Sequence, residues 1–297
     1  DNVLKVDTGA LVGAWATGNS MNTARDGLGG AGTQTAALAF GGNIPGGAAP
    51  TRSALTETYN GTNWTEVGDL NQIRSNIAGA GTNTAALGFG GINNPPLARF
   101  ALTEKWNGTN WTEVNDMNTG RQSLGGAGTQ TSALGFAGTI TPGTNITESF
   151  NGTNWTEVGD LNQVRFNTTG CGASNTSALC FGGEPGSSVN ALTELWNGTN
   201  WTEVNDLNTA RNKLAGVGIQ TAALAFGGEI DPGISALTET WNGTNWTEGN
   251  DLNTARIYLA GGGTNTAALA FGGGTPTVTA ATEEWSLAGG TVTITTS

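Results

Sequence analysis

Six arginines recur along this chain, Arg25, Arg74, Arg121, Arg165, Arg211 and Arg256, at spacings of 49, 47, 44, 46 and 45 residues. Downstream of each stands a Thr-Glu pair: Thr56-Glu57, Thr103-Glu104, Thr147-Glu148, Thr193-Glu194, Thr238-Glu239 and Thr282-Glu283. Two chemistries are open to such a set. Unpaired guanidinium groups would form a ring that binds an anion, whereas Arg–Glu ion pairs would cancel and serve the frame. Other reactive types are few. Asn-Gly-Thr and Asn-Trp-Thr give ten glycan-acceptor matches in five copies of "NGTNWT", but overlapping acceptors three residues apart could hardly both be occupied. Cys171 and Cys180 lie symmetrically about Asn175-Thr176. That symmetry makes them expected neighbours, either as free thiols filling small-residue space or as a strained cross-strand disulfide.

The rest of the composition excludes more than it offers. There is no His among 297 residues, and nothing has the spacing of a zinc site; no metal and no cofactor are expected. A net charge of −12 with only 11 Lys and Arg argues against a nucleic-acid partner. No run approaches the roughly 18 apolar residues of a membrane span, so no membrane insertion is expected. The chain opens at Asp1 without a methionine and reads as an excerpt of something longer.

The elements that must hold these residues are short. The third repeat reads as four strands, "SLGGAGT", "SALGFAG", "ITESF" and "NWTEV", bounded by Gly, Asn and Thr, with no helical periodicity. Asn-Gly between two such runs suits a two-residue type I′ hairpin, a register that would set Glu104 opposite Trp111 and Trp106 opposite Thr109. Fifteen residues after the Arg stands a Phe at Phe40, Phe89, Phe136, Phe226 and Phe271, with one residue more at Phe181. Eight residues beyond each of the first five repeat Thr stands a Trp: Trp64, Trp111, Trp155, Trp201 and Trp246. The sixth Thr has no such successor, and Trp15 near the amino terminus supplies the missing one.

Units of this length built from four strands predict an all-β chain: a six-bladed β-propeller of four-stranded antiparallel blades, closed by an N-terminal outer strand. The boundaries are an N-terminal flank 1–14, a propeller 15–286 and a C-terminal flank 287–297, and the strand-like flanks "VLKV" and "TVTITT" are expected to lead together into a neighbouring segment. The double glycine after an apolar strand and the spaced aromatics resemble the kelch repeat, which forms such propellers; Phe136-Ala137-Gly138 departs from the double glycine. The Asn/Thr/Gly-rich style "NTAR…AGGGTNTAALAFGG…TEEW" is similar to kelch-like repeats in structural, tail-fibre-like proteins of marine bacteriophages that infect cyanobacteria. That resemblance implies a virion-surface or extracellular location.

Propeller enzymes make poor matches. Oxidases resembling galactose oxidase need His ligands, and the "NGTNW" echo of the sialidase Asp box lacks its Asp, so no catalytic residues are expected. Recognition is expected where the repeat fails. From the Phe to the Thr-Glu pair the intervals are 16, 14, 11, 12, 12 and 11, so length variation gathers in the loop between the second and third strands. That loop shares a face with the link from outer strand to next blade. The ligand-binding residues expected there are Arg52, Arg99, Phe100, Phe166, Glu184, Lys213, Glu229, Asp231 and Tyr258; the two positions after each Arg should ring the channel mouth. The resulting expectation is a non-enzymatic binding module that recognises a host-surface glycan or protein. A structural decoration or scaffold protein that binds other virion subunits is the alternative, and a propeller enzyme the third.

Overall fold

The computed structural model describes residues 5–7, 13–46, 51–93, 97–141, 143–287 and 293–295. Six four-stranded antiparallel sheets dominate, and the described residues contain no helix. In the third repeat the strands are Gly125–Thr129, Ser132–Phe136, Thr147–Phe150 and Trp155–Glu157, paired in chain order. Composition follows depth. The second strand, "SALGF", is made of small and apolar residues because adjacent blades cover both of its faces, whereas the outer "WTE" buries only its Trp. Each innermost strand touches those of the blades before and after, and the sixth touches the first, which closes a six-bladed β-propeller. The approach is backbone to backbone. A Cβ on Gly79 would stand 2.4 Å from the Gly30 carbonyl oxygen of the preceding blade.

Aromatic residues join the blades at mid-radius. Trp111 stacks on Phe40 of the preceding blade with ring centroids 4.8 Å apart, and its Nε1–H donates to Thr56 Oγ1 at 3.0 Å. The same pair of contacts recurs at every seam. At the last one, the strand Gly13–Gly18 pairs with Thr282–Leu287 and sets Trp15 opposite Trp285. Trp15 donates to Thr238 Oγ1 at 2.9 Å and meets Phe226 edge to face with ring centroids 5.0 Å apart, so closure by the N-terminal strand is observed. Lys5–Asp7 pairs with Thr293–Thr295. The remaining flank positions Val3, Leu4, Thr291, Val292 and Thr296 lie outside the described residues.

One local expectation is corrected, and another resolves to one of its two alternatives, free thiols. The hairpin register places Trp106 opposite Trp111 and Glu104 opposite Glu113. Asn107 Oδ1 accepts the N–H groups of Thr109 at 2.9 Å and Asn110 at 2.8 Å, and only Gly108 of the Asn-Gly pair has positive φ, at 94°. A type I′ turn needs positive φ at both residues; the Asn side chain instead satisfies a wider four-residue loop. The two cysteines are adjacent in the sheet but not partners. A β-bulge between Gly172 and Ser174 shifts the register, leaving Cys171 opposite Leu179 and Cys180 opposite Gly170. The thiols therefore enter different core clusters and are free. The bulge also accommodates the extra residue before Phe181.

Candidate functional site

The repeat arginines belong to the frame. All six form ion pairs with the glutamate of their own blade, at 2.7–3.1 Å, and all six guanidinium groups are fully buried. Arg121 Nη1–H also donates to the Ala137 carbonyl at 3.1 Å, and the second Glu148 oxygen accepts Asn118 N–H at 2.6 Å. Burial pulls Arg25, Arg74, Arg121, Arg211 and Arg256 below the usual arginine range, opposed by the facing carboxylates. With every guanidinium enclosed and paired, an anion-binding ring of arginines is set aside in favour of the ion-pair ring.

Two residues beyond each arginine the chain builds the rim of the axial opening. Gly27, Asn76, Ser123, Asn167, Lys213 and Tyr258 form a closed ring of main-chain hydrogen bonds. Each N–H donates to the carbonyl of the corresponding residue in the preceding blade, at 2.6–3.0 Å, and Gly27 donates to Tyr258. All six have φ between 51° and 58°, and five of them are not glycine. An L-residue in this left-handed region costs roughly 1–2 kcal/mol. The residue before each ring member bridges the loop of its own blade, in the pairs Asp26–Asn43, Ser75–Ile92, Gln122–Thr139, Phe166–Glu184, Asn212–Glu229 and Ile257–Gly274. The variable loops are thus fastened to a rigid ring around the axis.

Inside the ring lies a cavity of about 140 Å³, lined by the six ring residues and by the innermost strands that follow them. Lys213 Nζ pairs with Glu229 and sits 5.4 Å from the Tyr258 ring centroid. Asn167 Nδ2 donates to Glu184 Oε1 at 2.6 Å, and Asn43 Nδ2 to Asp26 Oδ1 at 2.7 Å. Burial first, then the carboxylates of Glu184, Glu229 and Asp26, push the Tyr258 phenol up, against a hydrogen bond to Asn167. Burial likewise raises Asp26, opposed by Asn43 and by the charge of Arg52.

Of the residues the sequence singled out, four converge here: Glu184, Lys213, Glu229 and Tyr258. Arg52 and Arg99 stand on small two-stranded hairpins of the first two loops, Asn43–Ile44 with Thr51–Arg52 and Ile92–Asn93 with Ala98–Arg99. Asp231 is exposed in the turn of the fifth-loop hairpin, Glu229–Ile230 with Gly233–Ile234, before a cis proline. Phe100 is half-buried, its main chain bonded to Gly91 and Arg121, and Phe166 packs beside Gly143. Arg52, Arg99, Phe100, Phe166 and Asp231 are therefore spread around the rim rather than gathered. Asp26, Asn76, Ser123 and Asn167 belong to the positions after each Arg that the sequence sets around the channel mouth, though not to its ligand-binding set; Gly and Asn at three ring positions are types that tolerate positive φ. The described residues contain no group of three or more His, Cys, Asp or Glu placed to hold a metal ion.

No family model and no curated protein matches this chain.

Proposed function

We propose that this protein is a non-enzymatic recognition module that binds through the loop face, with the axial mouth at its centre. The observation that carries this reading is the ring of non-glycine residues at positive φ. Glycine would hold the same backbone without strain, as Gly27 does, and the chain has 49 glycines in all. Side chains kept in strained positions around an opening, of four types over five blades of an otherwise uniform repeat, are what a recognition surface requires. The double-glycine repeat is kelch-like, and its composition resembles marine phage structural proteins. On that resemblance we read the protein as a virion-surface component facing the host, its ligand a host-surface glycan or protein.

One feature favours a second reading. Leu97 and Ile73 on the same face are 64% and 45% exposed, and apolar surface of this kind suits a contact with another virion subunit.

A loop graft tests the assignment of the face. Loops Gly90–Leu102 and Gly182–Leu192 are anchored alike: Gly90 N–H and Gly182 N–H donate to Leu102 and Leu192, and Gly91 and Gly183 to Arg121 and Arg211. Replacing the first loop with the second removes Leu97, Arg99 and Phe100 while keeping those anchors. Folding should survive, because loop length changes closure entropy by only about 0.6 kcal/mol per doubling. Host-cell binding should fall, whereas Asn151→Asp on the opposite face should leave it intact. Loss of binding only with the hairpin-face change would place function on the wrong side of the disc. Unchanged binding to cells with lost incorporation into particles would favour the subunit-contact reading.

A further inference from the structure

The axial cavity, at about 140 Å³, falls below the roughly 300–1,000 Å³ of pockets that enclose a drug-sized molecule. It can take the end of a ligand but not the whole. Asn76 and Ser123, among the lining residues, carry an amide and a hydroxyl that both donate and accept, whereas the amide of Asn167 is engaged by Glu184. Tyr258 adds one aromatic ring at the same opening. This combination suits a sugar ring, whose hydroxyls need partners of both senses and whose C–H face packs on an aromatic.

The charges then narrow the class of sugar. Glu184 Oε1 accepts a hydrogen bond from Asn167 Nδ2 at 2.6 Å, Glu229 pairs with Lys213, and Asp26 immediately precedes Gly27, so three carboxylates stand beside the ring. The one cation in the ring, Lys213, is already tied to Glu229, while Arg52 and Arg99 stand out on the loop hairpins. The chain as a whole carries −12. A carboxylated or sulfated ligand would bring like charge to this opening, which is penalised and amounts to built-in rejection.

We propose that the axial mouth is a saccharide subsite selective by charge, accepting the end of a neutral or amino-bearing glycan and rejecting acidic ones. It rests on the reading of the loop face as a glycan-recognition surface. Chitotetraose, its fully deacetylated form and tetragalacturonic acid are titrated into the intact protein by calorimetry, at 50 mM and 500 mM salt, beside a host-cell binding assay. At low salt the acidic oligomer should bind at least ten-fold more weakly than the other two, and screening should narrow the gap at high salt. Glu184→Gln with Glu229→Gln should raise tetragalacturonate binding at least ten-fold, because it releases Lys213 from its partner. Tyr258→Gly, which keeps the positive-φ backbone without strain, should weaken chitotetraose binding at least ten-fold.

The failures are distinguishable. Equal binding of acidic and neutral oligomers would overturn the charge selectivity and leave glycan recognition standing. Binding of host cells but of none of the three saccharides would overturn the glycan reading and this inference with it. Chitotetraose binding unaffected by Tyr258→Gly in a folded variant would remove the subsite from the axis.

Discussion

Trp15→Ala should cost as much as Trp111→Ala, although one tryptophan arrives from the far end of the chain and the other lies within a continuous blade. The structure makes the two sites nearly equivalent: 7% against 5% exposed, hydrogen bonds of 2.9 and 3.0 Å to Thr238 and Thr56, and ring-centroid distances of 5.0 and 4.8 Å to Phe226 and Phe40. Truncating a buried Trp costs about 3–5 kcal/mol. That is a large share of the roughly 5–15 kcal/mol that holds a domain folded. At about 2–4 °C per kcal/mol for a large domain, Tm should fall by on the order of 10 °C in both variants. Trp15→Phe keeps the ring and loses only the hydrogen bond, so about 1 kcal/mol is expected. Deletion of residues 1–18 removes the strand as well and leaves an open edge, which should cause aggregation or unfolding. Calorimetric melting of the four variants is the assay. A Trp15→Ala protein as stable as the parent, or a truncated chain that stays monomeric and equally stable, would refute closure by the N-terminal strand.

Glu148→Gln strips the charge partner from buried Arg121 and should cost about 3–5 kcal/mol by urea unfolding, with part recovered when Arg121→Met is added. Cys171 and Cys180 are buried and their thiols pushed up by that burial; a thiol reagent should find neither in the native protein and both after denaturation, with no disulfide at any stage. Asp26 has a folded pKa raised above its ordinary 3.8, so the folded state holds its proton more tightly and stability falls as pH rises through that window. Asp26→Asn should therefore raise Tm at pH 7, and the gain should vanish below pH 4.

Much of the frame was legible because duplication makes the sequence its own alignment. The Arg ruler, the Phe and Trp intervals and the displaced Trp15 fixed blade count and closure, since each marks a contact repeated at every seam. What escaped notice is what side-chain type does not encode. The hairpin register turned on Asn107 capturing two backbone donors, a local bond that competes with the turn suggested by Asn-Gly. The cysteine pairing turned on a bulge that shifts the register by one residue and sends the thiols to opposite faces. At the axis, the ring is made by main-chain groups of different blades; Gly27, Asn76 and Asn167 hint at its φ values, whereas Ser123, Lys213 and Tyr258 conceal them. That the variable loops share a face with the positions after the arginines was legible from strand order, but the gathering of Glu184, Lys213, Glu229 and Tyr258 depended on those positions bridging the loops.

The central claim is that the repeated part is frame and the departures from it are the recognition surface. Hydrogen exchange of the intact protein, with and without saturating surface fragments from cells that the protein is found to bind, tests it most directly. Protection should appear in the loops at 90–102, 182–192 and 227–237 and at the side of the axial ring they surround, with the Asn-Gly-Thr-Asn hairpins unchanged. Protection confined to those hairpins, with loop exchange unaltered, would contradict the account.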